Sequence, residues 1–140
     1  MTRGRRRRAA RCRQERRLGV EIVELAFALP VMMVIVFGTL ETCELIFVKQ
    51  SLAVGAYESG RIAARPGGTA DAAVNRFEQI MTSRRVANAT ITITPADPTA
   101  VAVGDEIRID VAAPVTGNST TGLVLTNVPD ITETVVVVRE

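Results

Sequence analysis

The stretch "LAFALPVMMVIVFGTLETCELIFVKQSLAVGAYESGRIAAR", Leu25 to Arg65, decides the fold. Its first sixteen residues, Leu25 to Leu40, carry no charge. At ~1.5 Å per residue they cover roughly 24 Å, a little short of a ~30 Å hydrocarbon core. Extension back to Val20 and forward to Val48 supplies the missing length and brings in Glu21, Glu24, Glu41 and Glu44. The segment reads as a membrane-spanning helix with acids at both borders. Pro30 lies inside it, removes one backbone hydrogen bond and marks a kink.

The helical pattern does not stop at the membrane. Leu45, Val48, Leu52 and Gly55 or Ala56 recur at three- and four-residue steps, while Lys49, Gln50 and Ser51 fall mostly on other faces. Glu58 and Arg61 are spaced for an i,i+3 pair. "RPGG", Arg65 to Gly68, stops the helix through a lost donor and glycine flexibility. One continuous helix from Gly19 to Ala64 would be about 70 Å long.

Beyond it, a second helix is expected from Thr69 to about Val86. Thr69 can cap it, Asp71 suits its first turn, and Arg84 and Arg85 suit its end. Ala73, Val74, Phe77, Ile80 and Met81 form its apolar face. The period then changes to two. "TITIT", Thr90 to Thr94, turns Ile91 and Ile93 inward. "EIRIDV", Glu106 to Val111, turns Ile107, Ile109 and Val111 inward and Glu106, Arg108 and Asp110 outward. "ITETVVVVRE" is a third strand. The turn-rich stretch "APVTGNSTTGLVLTNVPD", Ala113 to Asp130, reads as a mobile loop. Three short strands and one helix make a small core, so they need the outer half of the long helix to pack against. The expected fold class is α+β: a long N-terminal, partly transmembrane helix, a second short helix and a small three-stranded antiparallel sheet.

Working toward the N-terminus, charge is sharply divided. Residues 1–19 hold nine Arg and one Glu; the remainder holds eight Lys/Arg and fourteen Asp/Glu. A basic run can bind nucleic acid. Arginines beside an apolar segment instead set membrane orientation and stay cytoplasmic. With aromatics at 4% there are few stacking surfaces, so no nucleic-acid partner is expected. The organisation is therefore a basic leader (1–19), a transmembrane and extended helix (20–65) and a small extracytoplasmic α+β head (66–140).

Little in the composition supports catalysis. Histidine is absent, which removes the commonest general base and zinc ligand. Ser51, Ser59, Ser83 and Ser119 have no evident base partner. Asp105, Glu106 and Asp110 carry oxygens that suit calcium, but the latter two fall on the solvent face of a strand. No enzyme activity, metal or cofactor is expected. "NAT" at Asn88 and "NST" at Asn118 fit a glycosylation sequon, a pattern that also arises by chance in turns. Cys12 and Cys43 flank the apolar run, so an internal disulfide is not expected; Cys43 reads as a small helix residue or an intermolecular thiol.

What remains is the border stretch "LGVEIVEL", Leu18 to Leu25. A secretory signal is cut after its apolar run. "AVGA", Ala53 to Ala56, is far past Leu40 and inside a helical pattern. A cut after Gly19 would instead remove the arginines and leave an amine on Val20, one turn from Glu24. Gly19 followed by Glu24 resembles the prepilin peptidase site of type IV pilin-like proteins. More specifically, Gly19, Val23, Glu24, Ala28, Leu29, Pro30, Phe37, Gly38, Glu41, Gln50, Gly60 and Arg61 resemble the TadE-like pseudopilins of bacterial tight-adherence (Tad/Flp) pilus systems. The "VVVVRE" ending is also similar. Leu25 stands where that family usually has Phe. The likeness covers residues 16–65.

The resemblance implies a structural or assembly subunit of a Tad-type pilus or related secretion apparatus, processed after Gly19. It implies a prepilin peptidase and other pilin or pseudopilin subunits as partners, in a homo- or hetero-oligomer. Glu24 would pair with a neighbour's Val20 amine. The expected location is the bacterial cytoplasmic membrane, single-pass, with the N-terminus cytoplasmic and the head outside, pilus-associated once assembled. The competing reading is an uncleaved bitopic anchor carrying an extracytoplasmic binding module.

Overall fold

The computed structural model describes residues 3–119, 122 and 128–140, and side chains from residue 19 onward. The chain forms helix α1 (Arg3–Ala64), helix α2 (Ala70–Ser83) and strands β1 (Thr90–Thr94), β2 (Glu106–Ala113) and β3 (Ile131–Val138), with one 3-10 turn at Pro98–Ala100. This is the α+β class the sequence implied. The chain divides into two units, one ending at Gly38 and one running from Thr39 to Glu140.

The first unit consists of the N-terminal part of α1 alone. The helix begins at Arg3, earlier than the expected Gly19, so the arginine-rich segment is helical too. The composition of that segment cannot form a core, but arginine and alanine are good helix formers. From Val20 to Val34 every large apolar side chain is exposed; Phe27 is 77% exposed. The helix is long and apolar enough to cross a membrane and fits a membrane anchor.

In the second unit the same helix acquires a packed face. Val48, Leu52, Ala56 and Ala63 are buried at helical spacing. They share one core with Ala73, Phe77, Ile80 and Met81 of α2 and with Ile107, Ile109, Val111 and Ala113 of β2. Two glycines set how closely the layers approach. A Cβ on Gly55 would lie 2.7 Å from Met81 Cε and 2.9 Å from the Phe77 ring; one on Gly60 would lie 3.0 Å from Val137 Cγ1.

Two sequence expectations on this helix are corrected. Ser51 is fully buried rather than on another face, because its hydroxyl donates to the Phe47 carbonyl (2.7 Å) and so needs no water. Glu58 does not pair with Arg61; it lies 3.9 Å from Arg76 of α2, which faces it across the helix pair. Glu41, expected among the border acids, is only 1% exposed.

The end of α1 is closed by distant chain. Gly68 N–H donates to Arg65 O (2.9 Å), and a Cβ there would lie 2.1 Å from Ile62 O, so only glycine fits. From the far end of the chain, Glu140 N–H donates to Ala64 O (2.9 Å) and Arg139 Nη1 donates to Ala63 O (2.6 Å). Carbonyls that a helix end leaves unsatisfied are thereby paired. The strand therefore stops at Val138, two residues before the expected end, and Arg139 is buried.

α2 starts as its sequence indicates: Thr69 Oγ1 accepts from Ala72 N–H (3.2 Å). It ends at Ser83, not Val86. Arg85 N–H donates to Thr82 O and Val86 N–H to Met81 O, with Arg85 at φ +55°. That is the Schellman closure, with arginine at the left-handed position usually held by glycine.

The sheet order is β1-β2-β3, all antiparallel, with Ile93 opposite Ile109 and Ile109 opposite Val135. Ile107, Ile109 and Val111 point inward and Ile91 and Ile93 pack against the same core, as alternation required. β2 runs two residues further than expected, because Ala112 and Ala113 still pair with Thr132 and Ile131. Of the expected loop 113–130, Ala113 belongs to β2, and residues 120, 121 and 123–127 lie outside the described residues.

Candidate functional site

The border stretch lies on α1 with every side chain from Gly19 to Leu25 exposed. A Cβ placed on Gly19 would meet nothing within 4 Å. Val20 and Glu24 are four residues apart, hence one turn apart on one helix face. The Glu24 side chain is exposed. Pro30 lies inside α1, six residues further on.

Asp110 and Asp97 of the head are engaged in local structure. Arg108 Nε donates to Asp110 Oδ2 (2.9 Å), and Thr134 Oγ1 donates to Asp110 Oδ1 (2.6 Å) from the facing position of β3. These bonds, the Arg108 one foremost, hold the Asp110 carboxyl below its ordinary range and raise Arg108. Asp97 caps the 3-10 turn by accepting from Thr99 Oγ1 (2.5 Å) and Thr99 N–H (2.9 Å), which lowers it as well. Among the described residues no three His, Cys, Asp or Glu side chains come together in a metal-binding group.

Asn118, read in the sequence as a sequon position, is a clamp. Its Oδ1 accepts from Ala87 N–H (2.7 Å), and its Nδ2 donates to Ala87 O (2.9 Å) and Pro114 O (2.8 Å). The amide that a glycan would need is committed to holding the segment after β2 against the segment after α2. Cys43 is a free, exposed thiol; the Cys12 side chain lies outside the described residues.

One concavity was not legible in the sequence. Leu40, Phe47 and Val48 of α1 and Arg84, Arg85 and Val86 at the end of α2 line a groove of about 650 Å³. Glu44 and the Asn118 clamp also border it. Sequence reading took the two arginines only as charges suited to a helix end. Their meeting with α1 depends on the α1–α2 packing angle, which no local pattern encodes.

Residues 19–61 match the family model described as TadE-like protein. The match begins at Gly19 and ends at Arg61, covers about a third of the chain, and contains Val20, Glu24 and Pro30. It agrees with the resemblance read from those residues. No curated protein and no solved structure matches the chain.

Proposed function

We propose that this chain is a pseudopilin-like subunit of a Tad-type (Flp) pilus or related secretion apparatus, with a structural and assembly role rather than a catalytic one. The observation that carries the reading is the coincidence at Gly19. The family match starts there, the last of the nine N-terminal arginines, Arg17, stands two residues before it, and the run that leads into the uncharged segment follows it.

In this reading a prepilin peptidase cuts between Gly19 and Val20. The arginines hold the leader on the cytoplasmic side, so the head lies outside the cytoplasmic membrane. The exposed run Val20–Leu40 then packs among lipids and the helices of other pilin or pseudopilin subunits. A carboxylate near the end of a membrane helix costs a few kcal/mol unless it is paired. The Val20 amine of a neighbouring subunit supplies that partner for Glu24 and sets the axial register between subunits. Pro30 leaves the Ala26 carbonyl without its helical donor and gives the packed helices a point at which to bend.

Gly19→Ala tests the cut. In cells with active prepilin peptidase, the variant should retain the leader while the wild type loses it. A normal mature mass in the variant would overturn the assignment. A second reading, an uncleaved bitopic anchor with an extracytoplasmic binding module, is favoured by one observation: α1 runs without a break from Arg3 through Gly19. It requires the leader to persist on the wild-type chain under the same conditions.

A further inference from the structure

We propose that the groove between Leu40, Phe47 and the Arg84–Arg85 pair seats an anionic phospholipid, with its phosphate on the two guanidinium groups and its upper acyl chain along the apolar wall. The proposal rests on reading the apolar run of α1 as a membrane anchor.

Three observations converge on it. First, Leu40 closes the uncharged run and also lines the groove, so the site begins where the membrane segment ends. Apolar surface continues past that point onto the head: Ile46 is 51% exposed and Phe47 is 47% exposed. In water these side chains are unfavourably solvated, whereas a lipid chain in the interface would cover them.

Second, the cations of the groove are uncommitted. Lys49, Arg76 and Arg108 each face a carboxylate. Arg84 and Arg85 have no ion pair among the described residues. Arg84 and Arg85, neighbours in sequence that both line the groove, carry the planar donor forks that match phosphate oxygens. Glu44 offsets one of the two charges, leaving the groove cationic. A headgroup carrying only its phosphate charge suits it better than a zwitterionic one, whose own ammonium competes with the arginines.

Third, Arg85 is held at φ +55° at the helix-ending position where glycine is the unstrained choice. Its backbone closes α2 equally well with glycine. Backbone strain kept at a site is commonly associated with function, and here the strained residue is the one that contributes a cation to the groove.

The test uses the full chain in a mild maltoside detergent with equal amounts of phosphatidylglycerol and phosphatidylcholine, and native mass spectrometry to read retained lipid. Wild type should retain phosphatidylglycerol severalfold over phosphatidylcholine. The Arg84→Gln/Arg85→Gly variant should lose that preference. Glycine relieves the left-handed backbone, so the variant should keep its circular dichroism and melting behaviour. An Arg61→Gln/Arg65→Gln variant, altered at exposed arginines outside the groove, should keep the preference. Equal retention of the two lipids by wild type, or a preference that survives the Arg84/Arg85 replacement, would overturn the proposal. So would displacement of the lipid by an equal concentration of soluble glycerol 3-phosphate, which would mark a free-phosphate site. Release of the wild-type chain from membranes by alkaline carbonate would instead refute the anchor reading, which the arginine variants do not address.

Discussion

The two parts of α1 use apolar residues in opposite ways. From Leu25 to Phe37 the helix is apolar around its circumference, and Val31, Met32, Met33, Val34 and Ile35 are all at least half exposed. After Thr39 a buried apolar stripe appears: Val48, Leu52, Ala56 and Ala63 are buried against α2 and the sheet, while Ile46 and Phe47 stay exposed. The first pattern has no solvent within its own chain and calls for lipid or other helices. The second is an ordinary amphipathic core helix. A single secondary-structure element thus carries an anchor and a scaffold, and the border acids mark where one becomes the other.

Truncation should separate the two parts most strongly. Leu52→Ala removes a fully buried side chain and should cost the head about 2–5 kcal/mol in denaturant unfolding. Val34→Ala, at a position 60% exposed, should change head stability by no more than about 0.5 kcal/mol. Comparable losses at the two positions would mean that the first part is packed after all.

The same glycine-to-alanine change should also divide them. At Gly55 the new methyl meets the Phe77 ring, and overpacking should cost about 1–3 kcal/mol. At Gly19 it meets nothing, so head stability should not fall. Its effect should be confined to leader removal.

Next in size is the clasp at the end of α1. Arg139→Ala removes a buried, charge-assisted bond to the Ala63 carbonyl and should destabilise the head by about 1–3 kcal/mol. Hydrogen exchange should rise first in the last turn of α1 and at the end of β3. Uniform loss across the head would argue against a local clasp.

The smallest effect concerns acid. The Asp110 carboxyl is held low in the folded chain by Arg108 and then Thr134. A depressed folded value means stabilisation that is present above the unfolded carboxyl's pKa of ~3.9 and is lost as pH falls through the folded value. Asp110→Asn should flatten the melting profile below about pH 4 and leave neutral behaviour nearly unchanged, because the pair is exposed. An undiminished acid transition in the variant would shift the effect to Asp97 and its Thr99 bonds.

What could be read from the sequence follows from locality. "TITIT" and "EIRIDV" gave their faces because strand alternation is a property of adjacent residues. Thr69 announced the start of α2 because a cap acts within one turn. The residues that misled were those whose environment is set by distant chain. Ser51 looks like a surface position and is buried. Glu58 has a possible partner one turn away in Arg61 but faces Arg76. Arg139 looked like strand and serves as a helix closure. The proposed border site, Gly19, Val20 and Glu24, could be put forward from sequence because it is a linear motif. The arginine groove was not, because α1 and α2 build it together across some forty residues of sequence.

The pilin-like reading turns on the N-terminus of the mature chain. N-terminal sequencing and intact mass of the protein recovered from its native membrane, in cells with active prepilin peptidase, should show a chain beginning at Val20. A recovered chain still carrying Arg3 to Arg17 would contradict processing after Gly19 and leave the uncleaved membrane anchor in its place.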